Sequence, residues 1–215
     1  MTYAILVADD HTIIRNGLRK ILEDTEDMRV VAEAAHGAEV MDCVRTLELD
    51  LVILDMSMPG RNGLDLLKAI KTEKPKLPVL IFSMHPEEQY AVRAIRSGAS
   101  GYLSKESDGD LLIPALRRVI GGHLYVSPKT AELLATDSSP LSDTPTHTRL
   151  SDREFEVFSR IVQGRSMTDI AHELSLSIKT VSTHKSHIME KMAMDSTVEL
   201  VRYALKHGLM DDNGG

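Results

Sequence analysis

The sequence predicts an α/β domain built on a doubly wound five-stranded parallel sheet, followed by an all-α four-helix domain. Three observations predict it. Strand-like and helix-like segments alternate five times as far as Gly121. The strand-like segments are continuous apolar runs rather than alternating ones, which suits a parallel sheet covered on both faces. From Leu150 onward the apolar residues recur at helical spacing throughout.

The first domain reads element by element. Tyr3–Ala8 is a short apolar run that ends in Asp9 and Asp10. Residues 12–22 place Ile13, Ile14, Leu18, Ile21 and Leu22 at helical spacing. Met28–Ala34 reads as a strand around Val30 and Val31, and 38–47 as a helix with Val40, Met41, Val44 and Leu47 on one face. Leu51–Leu54 is a wholly apolar strand ending at Asp55, and 64–70 a helix aligned on Leu64, Leu67 and Ile70. A strand over 78–82 ends at Ser83, and the helix Glu87–Arg96 stops at Gly98. Gly101–Ser104 is a short strand ending at Lys105, and a helix over 110–120 stops at Gly121-Gly122. In doubly wound sheets ligands bind beyond the carboxyl ends of the strands, where Asp9, Asp10, Asp55, Ser83 and Lys105 all fall.

Ser127-Pro128 puts proline at the first position of a short helix reaching Leu134. Residues 136–148 are rich in Ser, Thr, Pro and Asp and read as a flexible linker. The expected boundaries are therefore 1–122, a linker at 123–148, and 149–215. In the last segment Ser151 with Glu154 forms a capping box, and Phe155, Val157, Phe158, Ile161 and Val162 supply an apolar face up to Gly164. Ser166 opens a short helix to Leu174, Ser177 a longer one to about Met192, and Ser196 with Glu199 a fourth that ends at Gly208. A short helix, a tight turn and a longer helix make a helix-turn-helix.

Composition narrows the function classes. The 215 residues are 42% hydrophobic and 27% charged, ordinary for a globular chain. No apolar run approaches the ~18–20 residues of a membrane helix, so membrane insertion is not expected. The start, Met1 to Asp10, lacks the basic flank and cleavage site of a secretory signal. Cys43 is the only cysteine, which excludes an intrachain disulfide and a thiolate zinc site and suits a reduced, cytoplasmic setting. The net charge is −7, spread over the chain so that no segment is basic. Binding to nucleic acid would need a local basic face.

If the first and third strands are neighbours, Asp9, Asp10 and Asp55 converge. Two unit charges ~5 Å apart repel by roughly 3 kcal/mol at an effective dielectric of ~20. A cation relieves that, and oxygen-only ligands suit Mg²⁺, which binds through one or two carboxylates plus phosphate oxygens. Asp55 is then a candidate nucleophile toward a phosphoryl group, with Lys105 to neutralise its charge. This reading requires Asp55 beside the first strand's acids, with its carboxylate open to solvent.

The first domain resembles the receiver domain of bacterial two-component response regulators. The match lies in Asp9-Asp10-His11, the run from Leu54-Asp55-Met56-Ser57-Met58-Pro59 to Gly63, Ser83, and the run from Gly98 through Tyr102 to Lys105. The resemblance implies a flavodoxin-like fold in which Asp55 accepts a phosphoryl group from a sensor histidine kinase. It implies that Asp9, Asp10, Asp55 and the Ser57 carbonyl organise Mg²⁺, that Lys105 contacts the phosphoryl oxygens, and that Ser83 and Tyr102 form the switch pair. Many receivers carry proline after the lysine, where this chain has Glu106. Ser57 and His85 lie where the family tunes dephosphorylation. Physically, an aspartyl phosphate adds about two negative charges. Ser83 can move to bond the new oxygens, and the cavity it leaves can accept Tyr102 turned inward. Driving a switch from 1:99 to 99:1 takes ~5.5 kcal/mol, within reach of two or three charge-assisted hydrogen bonds of ~1.5–3 kcal/mol each.

In the second domain the long helix carries Lys179, Thr180, Ser182, Thr183, Lys185 and Ser186, with no acid before Glu190. That face suits phosphate contacts and base-edge hydrogen bonds in a major groove of double-stranded DNA. Ile178, Val181, Ile188 and Met192 are expected to pack inward. His184 and His187 lack a third ligand nearby and read as polar surface residues. Residues 149–209 resemble the four-helix output domain of the NarL/FixJ (LuxR-type) class. The run from Ile178 to Lys185 is closest to the subgroup that includes the BvgA, EvgA and RcsB regulators. Met167-Thr168 and Ser182 depart from the common class pattern. The fourth helix, with Val198, Val201, Ala204 and Leu205, lies where the class dimerises on DNA, so a homodimer is expected.

Two competing readings remain at this level. One is an aspartate-nucleophile phosphatase of the haloacid dehalogenase type, which usually wants an acid two residues after the nucleophile; here that residue is Ser57. The other is a regulator whose first domain only mediates dimer contacts and is never phosphorylated. The full acidic set with Ser83, Tyr102 and Lys105 argues against it.

Overall fold

The computed structural model describes residues 2–58, 63–85, 87–136 and 146–210. They form two compact units, Met1–Thr136 and Asp137–Gly215, each described here by itself. Parts of three expected features lie outside the described residues: Pro59 to Asn62 in the run after Asp55, 137–145 of the linker, and 211–215 at the end.

The first unit runs β1 (Tyr3–Ala8), α1 (Thr12–Glu23), β2 (Met28–Ala34), α2 (Gly37–Thr46), β3 (Leu51–Leu54), α3 (Gly63–Glu73), β4 (Val79–Ser83), α4 (Glu87–Arg96), β5 (Gly101–Ser104) and α5 (Leu112–Ile120). Every strand pairing is parallel, in the order β2-β1-β3-β4-β5. The order therefore reverses between β1 and β3, which opens a crevice at their carboxyl ends. Register fixes what meets there. Ala8 is opposite Leu54 and Ser83 opposite Ser104, so the residues that follow β1 and β3 are neighbours, and Lys105 follows β5 beside the end of β4.

One core holds the sheet to α1 and α5. Ile5, Val7, Leu51, Ile53, Leu80 and Leu103 pack against Leu18, Leu22, Leu112, Leu116 and Val119. The continuous-run expectation holds for β3, buried at every residue. It fails for β2, whose Val31 is exposed. As the outermost strand, β2 carries Arg29 and Glu33, charges that discourage pairing with another chain. The apolar stripe of α1 is also narrower than its spacing suggests. Ile14, Leu18 and Leu22 face inward, whereas Ile13 is 85% exposed, one helical step of about 100° away. The helix expected over 110–120 starts as a 3-10 turn at Gly109–Leu111, where Asp108 accepts the Asp110 amide.

The short helix expected after Ser127 is present as α6 (Pro128–Thr136) and packs on α4 within the first unit. Ser127 Oγ accepts the Thr130 amide at 3.2 Å, and Thr130 is wholly buried.

The second unit opens with a 3-10 turn, Thr146–Arg149, then α7 (Asp152–Val162), α8 (Met167–Glu173), α9 (Ile178–Met192) and α10 (Thr197–Lys206). A serine caps each helix: Ser151, Ser166, Ser177 and Ser196 accept the amide three residues on. The Ser151–Glu154 box closes reciprocally. At α10 Glu199 instead accepts from the Asp195 amide, one residue before the cap. Phe155 and Phe158, with ring centroids 5.9 Å apart, pack in a core with Ile170, Val181, Ile188, Leu200 and Ala204. The α8–α9 turn is tight enough to put Ser175 at φ 52°. Ile178, expected inside, is 52% exposed because it occupies the first position of α9, and the buried stripe starts one turn later at Val181. Among the described residues, no helix is long and apolar enough to cross a membrane.

The start of α3 lies directly on the chain that follows β3. A Cβ on Gly63 would sit 2.6 Å from Met56 Cα and 2.7 Å from its carbonyl oxygen, far inside contact distance. Backbone cannot yield as a side-chain tip does. Gly63→Ala is expected to lower stability by about 1–3 kcal/mol, read as a reduced urea midpoint; an unchanged midpoint would contradict this packing.

Candidate functional site

The residues expected at the strand ends do converge. The Asp55 amide donates to the Ala8 carbonyl at 2.8 Å, continuing the β1–β3 ladder past its last paired residues. Asp9 and Asp55 are each 2% exposed. The Lys105 ammonium lies across them, 2.6 Å from Asp9 Oδ2 and 2.9 Å from Asp55 Oδ2. The same lysine is positioned by its own amide, which donates to the Ser83 carbonyl at 2.8 Å. Thus Asp55 stands beside the β1 acids as expected. The other requirement is not met: the Asp55 carboxylate is closed to solvent, with the Lys105 ammonium against Oδ2, so Lys105 has to withdraw before a phosphoryl donor reaches it.

Asp9 and Asp55 each have one oxygen on a backbone amide and the other against the Lys105 ammonium. Asp9 Oδ1 accepts the His11 amide at 2.8 Å, and Asp55 Oδ1 the Ser57 amide at 3.2 Å. Asp9 Oδ2, Asp10 Oδ1 and Asp55 Oδ2 are buried, with the Lys105 ammonium beside the first and third and the His11 ring beside the second. Ligand atoms of Asp9, Asp10, His11 and Asp55 all lie within 4.8 Å of one another. Buried, anionic, hard oxygens at that spacing, balanced by a single lysine, fit a hard divalent cation. His11 was legible only as part of a motif. Its Nδ1 sits 2.7 Å from Asp10 Oδ1, a contact no spacing rule foretells. Arg15, which donates to the Asp9 carbonyl at 2.7 Å and pairs with Glu33, is a second support that the sequence does not reveal.

Burial pushes the Asp55 carboxyl above the ordinary carboxylate range; Lys105 pulls it back, Asp9 adds to the rise, and the Ser57 amide opposes it. Tyr102 is 1% exposed, and burial raises its hydroxyl well above the usual phenol range. That hydroxyl donates to the His85 carbonyl at 2.8 Å. The His85 amide in turn donates to Ser83 Oγ at 3.2 Å, and Ser83 is fully buried. Tyr102 is thus inward with Asp55 unmodified, whereas the sequence reading has it turn inward only after Ser83 moves toward a phosphoryl group. Ser57 Oγ and His85 Nε2 are 3.2 Å apart, so the two residues singled out after Asp55 and Ser83 touch.

In the second unit, Lys179, Ser182, Thr183 and Ser186 are exposed on α9, with Thr180 and Lys185 half-buried. Thr183 and Ser186 hydroxyls donate back to the carbonyls four residues earlier, leaving their lone pairs outward. What fixes this helix is less visible in sequence. Lys191 reaches both carboxylate oxygens of buried Glu154, at 2.9 and 2.6 Å. Burial alone would raise the Glu154 carboxyl, but Lys191 and Ser151 together hold it below the usual range. His184 is half-buried rather than a surface residue, and burial lowers its imidazole below the ordinary histidine range, with Arg153 adding to the drop.

Comparison with known proteins accords with both units. Residues 5–117 match the response regulator receiver domain family, and residues 148–204 match the bacterial regulatory proteins, luxR family. The oxygen regulatory protein NreC of Staphylococcus haemolyticus is 39% identical over 214 residues, covering 96% of this chain and 99% of that protein. NreC of Staphylococcus carnosus is 38% identical over the same shares. RcsB from Salmonella enterica serovar Typhimurium, solved on the P1flhDC promoter with the phosphomimetic BeF3-, superposes with a TM-score of 0.67 at 29% identity, covering 94% of this chain and 98% of that one. The response regulator ChrA of a heme-sensing two-component system gives 0.51 at 31% identity, over 97% and 99%.

The Asp55 environment sets a pH dependence. A carboxyl whose folded-state value is raised keeps its proton to higher pH when folded. Its contribution is present below the unfolded value and is lost as pH rises through the folded one. Asp55→Asn is neutral at every pH. It is expected to be more stable than the wild type at pH ~7, with the gap closing toward pH ~4. Urea unfolding at the two pH values checks this; an Asn variant no more stable at neutral pH would contradict it.

Proposed function

The chain belongs to the response regulators that join a receiver domain to a LuxR-type DNA-binding domain, and we propose that Asp55 is the phosphoacceptor through which its transcription-regulating output is controlled. The protein is a phosphorylation-controlled, DNA-binding transcription regulator; its partners are a sensor histidine kinase and double-stranded DNA, and it works as a homodimer. One geometry supports the assignment of Asp55 above all: its carboxylate lies at the β1–β3 crevice, bridged by Lys105 to Asp9.

In this reading an Asp55 carboxylate oxygen attacks the phosphorus of the kinase's phosphohistidine. The P–O bond forms as the P–N bond breaks, and the imidazole leaves. Asp9, Asp10, Asp55 and the Ser57 carbonyl would hold Mg²⁺, which supplies charge neutralisation for the phosphoryl oxygens. Lys105 exchanges its Asp55 contact for the new phosphoryl, and the Ser83 hydroxyl bonds a further oxygen. Tyr102, already inward, is the position that a displaced Ser83 favours. Ser57 supports the regulator reading over a phosphatase. It stands two residues past Asp55, where a hydrolase needs a general acid, and its hydroxyl cannot supply one. We place the protein in the cytoplasm on the strength of these partners.

On DNA, Lys179 and Lys185 serve phosphates while Thr180, Ser182, Thr183 and Ser186 face base edges or sugar-phosphate oxygens. The Glu154–Lys191 pair joins α9 to α7.

Incubation with acetyl phosphate and Mg²⁺ is expected to add one phosphoryl mass to the wild type and none to Asp55→Asn. Equal labelling of both would overturn the assignment, and sustained phosphomonoester turnover would return the phosphatase reading. Lys179→Ala and Lys185→Ala are each expected to weaken DNA binding and to reduce the slope of log K against log salt by about 1. Titrations at several salt concentrations measure it, and unchanged slopes would remove these lysines from the interface.

A further inference from the structure

We propose that residues 123–136 are a clamp on the first unit whose grip is set by the Ser83–Tyr102 switch, an inference that rests on the receiver reading above. β5 is the last strand of the sheet, so its outer edge has free amides and carbonyls. Tyr125 pairs that edge. The Tyr102 amide donates to the Tyr125 carbonyl at 2.9 Å, and the Tyr125 amide to the Ser100 carbonyl at 3.0 Å. The approach is close enough that a Cβ on Gly101 would lie 2.9 Å from Tyr125 O and 3.0 Å from its Cβ. Two residues on, the Ser127 amide donates to Glu87 Oε1 at 2.8 Å, at the first residue of α4. α6 then lies on α4 with Thr130 fully buried.

These contacts close a circuit with the switch. α4 carries Tyr90, buried and stacked on His85 with ring centroids 4.5 Å apart. His85 accepts the Tyr102 hydroxyl on its carbonyl and gives its amide to Ser83 Oγ. Tyr102 is therefore tied to the clamp directly, through its backbone to Tyr125, and indirectly, through its hydroxyl to His85, whose ring stacks on Tyr90 of α4. Turning Tyr102 outward removes the second contact and opens a hole beneath α4. Movement of α4 carries Glu87 away from Ser127. Phosphorylation, which favours the inward position, tightens α6 on α4; its loss frees α6. Release of α6 adds residues 128–136 to the connection between the two units and so lengthens it.

Hydrogen exchange of full-length protein tests this in two arms. Without any phosphoryl group, Glu87→Gln and Tyr102→Phe are each expected to speed exchange of the 128–136 amides about five- to tenfold, with β1 and β3 amides unchanged. Unaltered 128–136 rates in both variants would overturn the clamp. In the second arm the wild type is treated with acetyl phosphate and Mg²⁺, and intact mass reports labelling separately. Labelled chain is expected to exchange 128–136 several-fold more slowly than unlabelled chain; equal rates would overturn the coupling. A chain that takes no label refutes the Asp55 assignment, while the variants still decide whether the clamp exists. Glu87→Gln is expected to take up label as the wild type does.

Discussion

Two carboxylates held side by side by a parallel ladder are the constraint on which the first unit turns. Asp9 and Asp55 follow paired residues of adjacent strands, so their backbone separation is fixed by sheet geometry rather than by choice of side-chain rotamer. Their repulsion is compensated locally by the Lys105 ammonium, itself placed by a third strand pairing. In the proposed role, a cation that neutralises the two carboxylates and can shift toward a new anion lets the site take a phosphoryl group without rebuilding. The balance is incomplete: burial, with Asp9 adding to it, keeps the Asp55 carboxyl raised in spite of Lys105.

Much of this was legible beforehand, for physical reasons that can be named. Leu51–Leu54 had to be a buried parallel strand because it contains no polar residue, and its end had to lie near other strand ends. Asp55, Ser83 and Lys105 then met by topology alone. The serine caps were legible because a hydroxyl three residues before a free amide is a local, short-range signal. Other features depended on tertiary contacts that no window of sequence contains. His11 on Asp10, Arg15 on the Asp9 carbonyl and Lys191 on Glu154 each join residues whose proximity is settled only after packing. The exposure of Ile13 and Ile178 shows the limit of periodicity: it names a face but not how wide the covered stripe will be.

The second unit follows the opposite logic. Its helix α9 is polar where it faces outward and is held by one deep ion pair and a small aromatic-aliphatic core. A domain of this size has little apolar surface to bury, so a buried Glu154 paired on two sides matters more than it would in a larger core. The same pairing ties α9, which carries Lys179 and Lys185, to the start of α7.

The pairing of Tyr125 with β5 bears on solubility as well. A short, apolar edge strand left bare is a template for intermolecular sheet growth. β2, at the far side, is guarded by its own charges, but β5 carries none between Gly101 and Ser104 and relies on the passing chain for cover. A fragment cut just after the fifth helix would keep every site residue of the first unit yet present a naked edge, inviting aggregation that the longer chain avoids.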